Sequence, residues 1–524
     1  MHRLTGIHDT PNMTQANNRR KRRGIKTPTA TPRSHAYRQL KHPFNPQQVF
    51  SDDAIENIHN MALRLLEELG IKVLLPEARA IFSQASATVD DDSQMVLIGK
   101  EIVQHALHSA PRSVRLRAVN PVREQQYEPG TMLFVAGSGC PNASDLQRGR
   151  RPGSLRDYDE SLQLQQAFDA IHLFSPSVEP QDIPPNLRHY DLVRSQIKIG
   201  DKPMFVFARG RGQVQESFEM IRLGLNLCEA EFVNGVWATT IINTNSPRQL
   251  DVPMAEGIID FARAGQMSII TPFCLAGAMA PITIAGALTL QHAEALAGIT
   301  LAQLANTGAP VSYGGFASNV DMKSGSPAFG TPEHIQLSIG SGQLARFIDL
   351  PWRSAAGSAG NTSDMQSGNE NNMGLWAAMQ ANATLTVHAA GWLEGGLCFG
   401  YEKFINDMES VNTLAELCAP LPDDEDTLGW SALVDVEPGG HFFATDHTMQ
   451  RYRDAFYAPL VADLSNHGAW VESGSKSSAE RATAIWQKIL HGFTPPLHAA
   501  NALEKIAPYI EKATANGGRP ISGG

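Results

Sequence analysis

The sequence predicts an α/β protein built on a (β/α)8 TIM barrel, with an N-terminal helical cap segment and C-terminal helices packed on it. Three observations predict it. Eight short apolar runs, beginning near Met132, His172, Pro203, Gly235, Met267, Pro310, Leu350 and Thr384, recur through the middle of the chain, and eight is the strand number of a closed barrel. Amphipathic stretches such as VQESFEMIRLGLNLC, QLDVPMAEGIIDFARAG and PEHIQLSIGSGQLARFIDL alternate with them, the pattern of a parallel sheet covered on both faces. The last two runs empty into glycine-bearing polar segments, SAAGSAGNTSDMQSGNE from Ser354 and GWLEGGLCFGYEKFINDMESV from Gly391. Glycines there let backbone and ligand come close at a barrel mouth. A doubly wound open sheet is the competing topology, but GSGCP after Ala136 is not the G-x-G-x-x-G that a dinucleotide fold places after its first strand.

Taken in order, residues 1–42 read as a disordered basic arm. They hold ten Lys or Arg against Asp9 alone, a net of +9 that leaves −19 for the rest of a chain totalling −10. Too few apolar residues are present to fold the arm alone; it is either a solvated tail or a tether to an acidic partner or to nucleic acid. Residues 43–122 read as a mostly helical cap. In FSDDAIENIHNMALRLLEELGIKVL, Ser51 is a fitting N-cap, acidic residues fill the first turn and Gly70 is the stop. EARAIFSQASATVD and GKEIVQHALHSAP continue the helical pattern, and SVRLRAVNP reads as a short strand before a turn. The barrel is expected over 123–420 and a helical extension over 421–524.

Composition bounds the function. At 524 residues and 42% hydrophobic content the chain buries a large core. No apolar run is long enough to cross a bilayer and no signal-peptide pattern opens the chain, so no membrane association and a cytoplasmic address are expected. Cys140, Cys228, Cys274, Cys398 and Cys418 are scattered and odd in number, without a C-x-x-C pair; they predict small buried residues and neither a disulfide framework nor a cysteine zinc site. The acidic body argues against a nucleic-acid partner. His441, Asp446 and His447 in GGHFFATDHT match no standard zinc spacing, so no metal is expected.

In a barrel, functional groups collect just after the strands. Those positions offer Gly137, Ser138 and Cys140, Glu179, Arg209 and Arg211, Asn243 to Asn245, Tyr313, Asp321, Gly357 to Asp364, Trp392 and Glu394. This lining is rich in amides, hydroxyls and aromatics. It suits a methylated ammonium compound, because a quaternary nitrogen donates no hydrogen bond and is held by aromatic faces and carboxylates. Tyr313, Phe316, Trp392, Phe399 and Tyr401 are the candidate cage, Glu394 or Glu402 the counter-charge. Arg209, Arg211 and Arg353 are candidates for a substrate carboxylate.

The chain resembles the trimethylamine methyltransferase (MttB) family of corrinoid-dependent methyltransferases. DMQSGNE from Asp364 is similar to a family run DxQAGxE, and YEKFINDMES to the signature EKFxxDxE. Further segments fall in family order: the FSDD helix start, APRSVRLRAVNP, RRPGSLRDY, INTNSPRQLD, the helix opening at Pro332 and Glu333, and GGHFFATDHT. The resemblance implies a (β/α)8 fold and methyl transfer from a methylated amine to the Co(I) centre of a separate corrinoid protein. The corrinoid partner supplies the cobalamin-type cofactor, and none is expected to be covalently bound here. It also directs attention to Asp364 and Glu370 as catalytic candidates and to Gln366 as a substrate contact.

Departures bear on substrate. Where the family pattern is GGxTDxKxxDxQAGxE, this chain has AAGSAGNTSDMQSGNE from Ala355, placing Ser358, Ala359 and Asn361 at the Thr, Asp and Lys positions. Trimethylamine-specific members use pyrrolysine, and none is written here. The resemblance then points to non-pyrrolysine members like glycine betaine:corrinoid methyltransferases, acting on a quaternary amine. The alternatives are a trimethylamine-specific enzyme, a non-catalytic amine-binding barrel, and a lyase or isomerase using Glu370 or Asp364 as base. A homo-oligomer is compatible with all of them.

Overall fold

Seven parallel strands curl about one axis: β1 (Thr131–Phe134), β2 (Met204–Phe205), β3 (Ala238–Ile242), β4 (Met267–Ile270), β5 (Val311–Gly314), β6 (Trp352–Ala355) and β7 (Leu385–Val387). Each pairs with the next from β2 to β7, and β7 pairs with β1 through Leu385–Leu133 and Thr386–Phe134. The interval between β1 and β2 is filled by the extended segment at His172. Its N–H donates to Phe134 O (2.9 Å) while Phe174 N–H donates to Pro203 O (3.1 Å), closing the ring. All eight apolar runs therefore become staves of one (β/α)8 barrel. These observations come from a computed structural model that describes residues 37–522.

Each stave is followed by an outer helix: α1 (Leu155–Ala167), α2 (Arg188–Ile199), α3 (Arg211–Leu225), α4 (Val252–Arg263), α5 (Ile284–Ala305), α6 (Pro332–Phe347), α7 (Met365–Gln380) and α8 (Tyr401–Leu417). Local chemistry starts them. Asp251, Thr331 and Asp364 accept backbone N–H groups at the starts of α4, α6 and α7, satisfying donors that a helix leaves open. Helix α5 is apolar nearly all round because it is sandwiched. The barrel lies on one side and helices Asp52–Arg64 and Lys100–Ser109 of the N-terminal region on the other.

The N-terminal region is less purely helical than its sequence predicts. Ile71–Val73, Thr88–Asp90 and Met95–Leu97 join Gln249–Leu250 in a small sheet. A hairpin of Val114–Leu116 and Gln125–Tyr127 packs its apolar face against Leu133, Met267 and Leu385 at the N-terminal end of the barrel. Tyr127 Oη bonds Ser312 Oγ there at 2.7 Å. With that end filled, access is from the C-terminal mouth.

One boundary is corrected. Residues 37–42 were expected in the disordered arm, yet Leu40–Lys41 pairs antiparallel with β1, Leu40 is 2% exposed, and Tyr37 Oη donates to Arg123 O at 2.5 Å. The expectation for residues 1–36 falls outside the described residues. After α8, α9 (Ser478–His491) packs on α8 and α1, and α10 (Ala499–Ala515) on α2 and α3. Among the described residues no helix is long and apolar enough to cross a membrane.

Candidate functional site

A cavity of about 420 Å³ opens at the C-terminal ends of the staves. Phe205 on β2, Ile241 on β3, Arg353 on β6 and His388, one residue past β7, reach it from the barrel itself; Phe207, Phe273, Phe316 and Trp392 reach it from the loops above. The aromatic rings are close together. Phe273 and Phe316 centroids are 4.9 Å apart, Phe316 and Trp392 5.8 Å, and His388 stacks on Trp392 at 4.3 Å. A larger groove of about 730 Å³ lies outside the barrel between α3 and α4, lined by charges that already pair, such as Arg211 with Asp260. The strand ends do not converge on it.

Arg353 is the electrostatic centre of the cavity. It is 1% exposed, its guanidinium carbon sits 5.3 Å from the Phe316 ring centre, and its Nη2 lies 3.4 Å from His388 Nε2. Among the described residues its Nε and Nη1 have no hydrogen-bond partner, and no Asp or Glu lines the cavity. Burial lowers its pKa to about 9, so the charge persists at neutral pH. A buried cation without a counter-ion is costly. His388 is different: burial, then the Arg353 charge, hold its pKa well below the ordinary value, and the imidazole is neutral. Arg209 also lines the cavity but is committed, donating to both oxygens of Glu179 (2.5 and 3.0 Å) and lying 4.1 Å over Phe207. Arg211 is held away by Glu77 and Asp260.

Trp392 is set in place by glycines. A Cβ at Gly357 or Gly396 would come within 2.3 or 2.4 Å of its indole, and both glycines have left-handed φ (+108° and +103°). Only glycine meets both demands. The indole N–H donates to Ser138 O at 3.3 Å. This accounts for the glycine spacing of the two loops that the sequence singles out.

The acidic candidates lie behind this wall. Glu370 Oε2 accepts from Ser358 Oγ (2.8 Å), Ala359 N–H (2.8 Å) and Gly360 N–H (3.1 Å), and Oε1 accepts from Gln366 Nε2 (2.8 Å). The loop it holds in turn accepts Glu394 N–H at Gly360 O and Gly395 N–H at Ser358 O, both at 3.0 Å. Glu370 and Gln366 thus brace the segment carrying Trp392 and Gly396 and do not line the cavity. Asp364 is an exposed N-cap of α7, accepting Ser367 N–H at 3.2 Å; the hydrogen bond from Thr362 Oγ1 leads the interactions that hold its pKa below the ordinary value. Glu394 pairs with Arg150 at 2.9 Å beside the cavity, next to lining residues Gly395 and Gly396.

Four expected ligand contacts lie outside the cavity lining. Tyr313 is fully buried with its Oη 3.0 Å from His292 Nδ1, facing α5. Tyr401 donates to Asp157 and Glu160 against α1 (3.0 and 2.7 Å), and Phe399 packs against Tyr401 and Phe404. Glu402 accepts from Thr483 Oγ1 (2.7 Å) and Trp486 Nε1 (2.9 Å) of α9. The YEKFINDMES segment is a fastening: Lys403 pairs with Asp407, which accepts Gly391 N–H at 2.9 Å, and Glu409 accepts Val461 N–H at 2.6 Å. Of the predicted contacts, Phe316, Arg353 and Trp392 come together in the cavity, with Arg209 at its edge tied to Glu179. Phe205, Phe207, Phe273 and His388 also line the cavity and were not singled out from the sequence, although each lies within a predicted strand.

A family model for trimethylamine methyltransferase (MTTB) matches residues 15–518. The chain belongs to the trimethylamine methyltransferase family. It is a methyltransferase, and the family works with a corrinoid protein. A glycine betaine methyltransferase of Desulfitobacterium hafniense (strain Y51) is 34% identical over 467 residues, covering 88% of this chain and 96% of that one. The trimethylamine methyltransferase MttB of D. hafniense (strain DSM 10664 / DCB-2) is 28% identical over 88% of this chain and 94% of its own. MttB2 of Methanosarcina mazei is 27% identical over 89% and 95%. Among the described residues, no three His, Cys, Asp or Glu side chains are grouped to hold a metal ion.

Proposed function

We propose that this chain takes a methyl group from a zwitterionic quaternary amine, a betaine, and passes it to the Co(I) of a corrinoid carried by a separate protein. The observation that carries the reading is Arg353, a buried guanidinium with two nitrogens that, among the described residues, have no partner, in a cavity of aromatic rings that the described residues line without a carboxylate. The substrate carboxylate pairs with it, and Phe207, Phe273, Phe316 and Trp392 receive the trimethylammonium group nearer the mouth.

Magnitudes favour a zwitterion over a bare cation. A cation–aromatic contact contributes about 0.5–2 kcal/mol, while two like charges ~6 Å apart cost about 3 kcal/mol at an effective dielectric of ~20. A choline-like cation therefore loses against Arg353 most of what the rings supply. A betaine turns the same charge to advantage.

The corrinoid supplies the cobalt nucleophile that accepts the methyl group. This chain binds the amine, excludes water and aims one N-methyl outward along the barrel axis. Departure from a quaternary nitrogen leaves a neutral tertiary amine and needs no proton. The product no longer carries the cation that the rings hold, which eases release.

The test is methyl transfer to free cob(I)alamin with glycine betaine, a longer betaine, choline and trimethylamine in parallel. Betaines turn over, and choline and trimethylamine do so at least tenfold more slowly. Turnover of trimethylamine without betaine turnover overturns the reading. The relative named for glycine betaine at 34% identity supports a betaine over trimethylamine.

A further inference from the structure

His388 reaches the cavity from a strained backbone. Its φ is +60°, in the left-handed region that crowds the Cβ of any residue but glycine. Such a conformation persists only where the surroundings over-determine it. In ordinary extended backbone the same side chain would leave Cα in another direction, so whatever holds this backbone also aims the imidazole at Arg353.

The main chain after β7 is tied residue by residue. Ala389 N–H donates to Val135 O (2.9 Å), Ala390 O accepts Gly137 N–H (2.7 Å) and Gly391 N–H donates to Asp407 Oδ2 (2.9 Å). The carbonyl next along from His388 is held by a side chain: Asn371 Nδ2 donates to Ala389 O at 3.0 Å. The Oδ1 of the same amide accepts Gly357 N–H at 2.8 Å. One side chain on the second turn of α7 therefore joins two loops. Gly357, which lies against the Trp392 ring, is on the first, and His388 begins the second.

The position admits few substitutes. It takes a short side chain with one acceptor and one donor, which asparagine has; an ionised aspartate lacks the donor and leucine lacks both. The amide's orientation is settled by its partners, because Gly357 N–H can only donate and Ala389 O can only accept. Asn371 is 1% exposed, so water does not compete for either bond. Gly374, about one turn further on, lets the helix come this close, since a Cβ there would sit 2.9 Å from Ala356 Cα. Asn371 itself does not line the cavity. It acts through what it holds.

We propose that Asn371 is a positioning residue for the carboxylate subsite, keeping His388 in its left-handed conformation with Nε2 beside Arg353. Its effect on betaine binding rests on the betaine reading; its effect on the conformation of His388 does not.

The experiment combines a crystal structure of Asn371→Ala with betaine kinetics of Asn371→Ala, His388→Ala and the double variant. In Asn371→Ala the backbone at 388 is expected to leave the left-handed region and the imidazole to swing away from Arg353. KM for betaine is expected to rise about tenfold or more with kcat within about threefold, since Asn371 touches no reacting atom. The double variant is expected to be no worse than His388→Ala, because a residue acting through His388 has nothing further to lose once that imidazole is gone. An unmoved His388 in Asn371→Ala, an unchanged KM for betaine, or losses that multiply in the double variant overturns the proposal. If Asn371→Ala does not fold, Asn371→Ser, too short to span both partners, carries the same readouts; if neither folds, the residue is structural and the proposal falls. A wild type that turns over trimethylamine and no betaine overturns the substrate reading alone, and the position of His388 in the variant still decides this one.

Discussion

Arg353 Nη2 and His388 Nε2 face each other at 3.4 Å as two hydrogen-bond donors. His388 Nδ1 already accepts Ser138 N–H at 3.2 Å, so the neutral imidazole carries its proton on Nε2. Two adjacent donors in a cavity call for a shared acceptor, and the substrate carboxylate proposed above would provide one. Each hydrogen bond to a charged group is worth about 1.5–3 kcal/mol. Arg353→Met should therefore lower kcat/KM for a betaine by about 100-fold or more. It also removes a buried unpaired charge, so its melting temperature should equal or exceed the wild type's. A variant that is destabilised yet fully active would show Arg353 to be structural.

Glu370 and Asp364, both candidate catalytic groups from the sequence, separate into different roles. Glu370 braces residues 358–360 and, through them, the Trp392 wall. Glu370→Gln should weaken that bracing and raise KM for betaine by about tenfold, with a smaller change in kcat, because the side chain touches no reacting atom. Asp364→Ala should cost about 1 kcal/mol of stability, the usual value of an N-cap, and leave turnover within about twofold. Steady-state kinetics and thermal melts of the two variants check both; a large kcat loss in Asp364→Ala would return it to the chemistry.

The barrel was legible because its signal is periodic and repeated: all eight apolar runs became staves, His172–Phe174 by hydrogen bonding alone. The site was legible only in part. Position after a strand pointed to Phe316, Trp392 and Arg353 but could not tell which side a ring faces, and Tyr313 and Tyr401 turn toward α5 and α1 to satisfy their hydroxyls. Chemical type misled for Glu402, a carboxylate spent on Trp486 of α9, 84 residues further along the chain. His388 carried no spacing signal; a lone histidine in TLTVHAAG gains meaning only from Arg353 across the barrel.

Acid should destabilise the fold through buried neutral histidines. Burial lowers the pKa of His172 to about 3 and of His334 to about 4, and holds His292 and His388 well below the ordinary value. Below pH ~6.5 the unfolded chain binds protons that the folded chain does not, so stability is full above that pH and falls as pH drops toward the folded values, by up to about 1.4 kcal/mol per unit for each group. Melting temperature measured from pH 8 to 5 should be flat above about 6.5 and decline progressively below it. His334→Gln should flatten part of the decline, and an unchanged slope would mean that His334 contributes nothing to it.

The end of the basic segment should divide sharply between a part the barrel needs and the part before it. Leu40 is 2% exposed and pairs with Met132 of β1, while Tyr37 Oη donates to Arg123 O and to His172 O beside the stave that closes the barrel. Burying a leucine contributes about 1.5–3 kcal/mol, and each hydrogen bond adds about 1 kcal/mol. A chain truncated to begin after His42 should lose about 3–5 kcal/mol of stability relative to one beginning at Tyr37, read as a lower denaturation midpoint in urea. Equal midpoints would mean that the Leu40–Lys41 strand contributes nothing to closing the barrel.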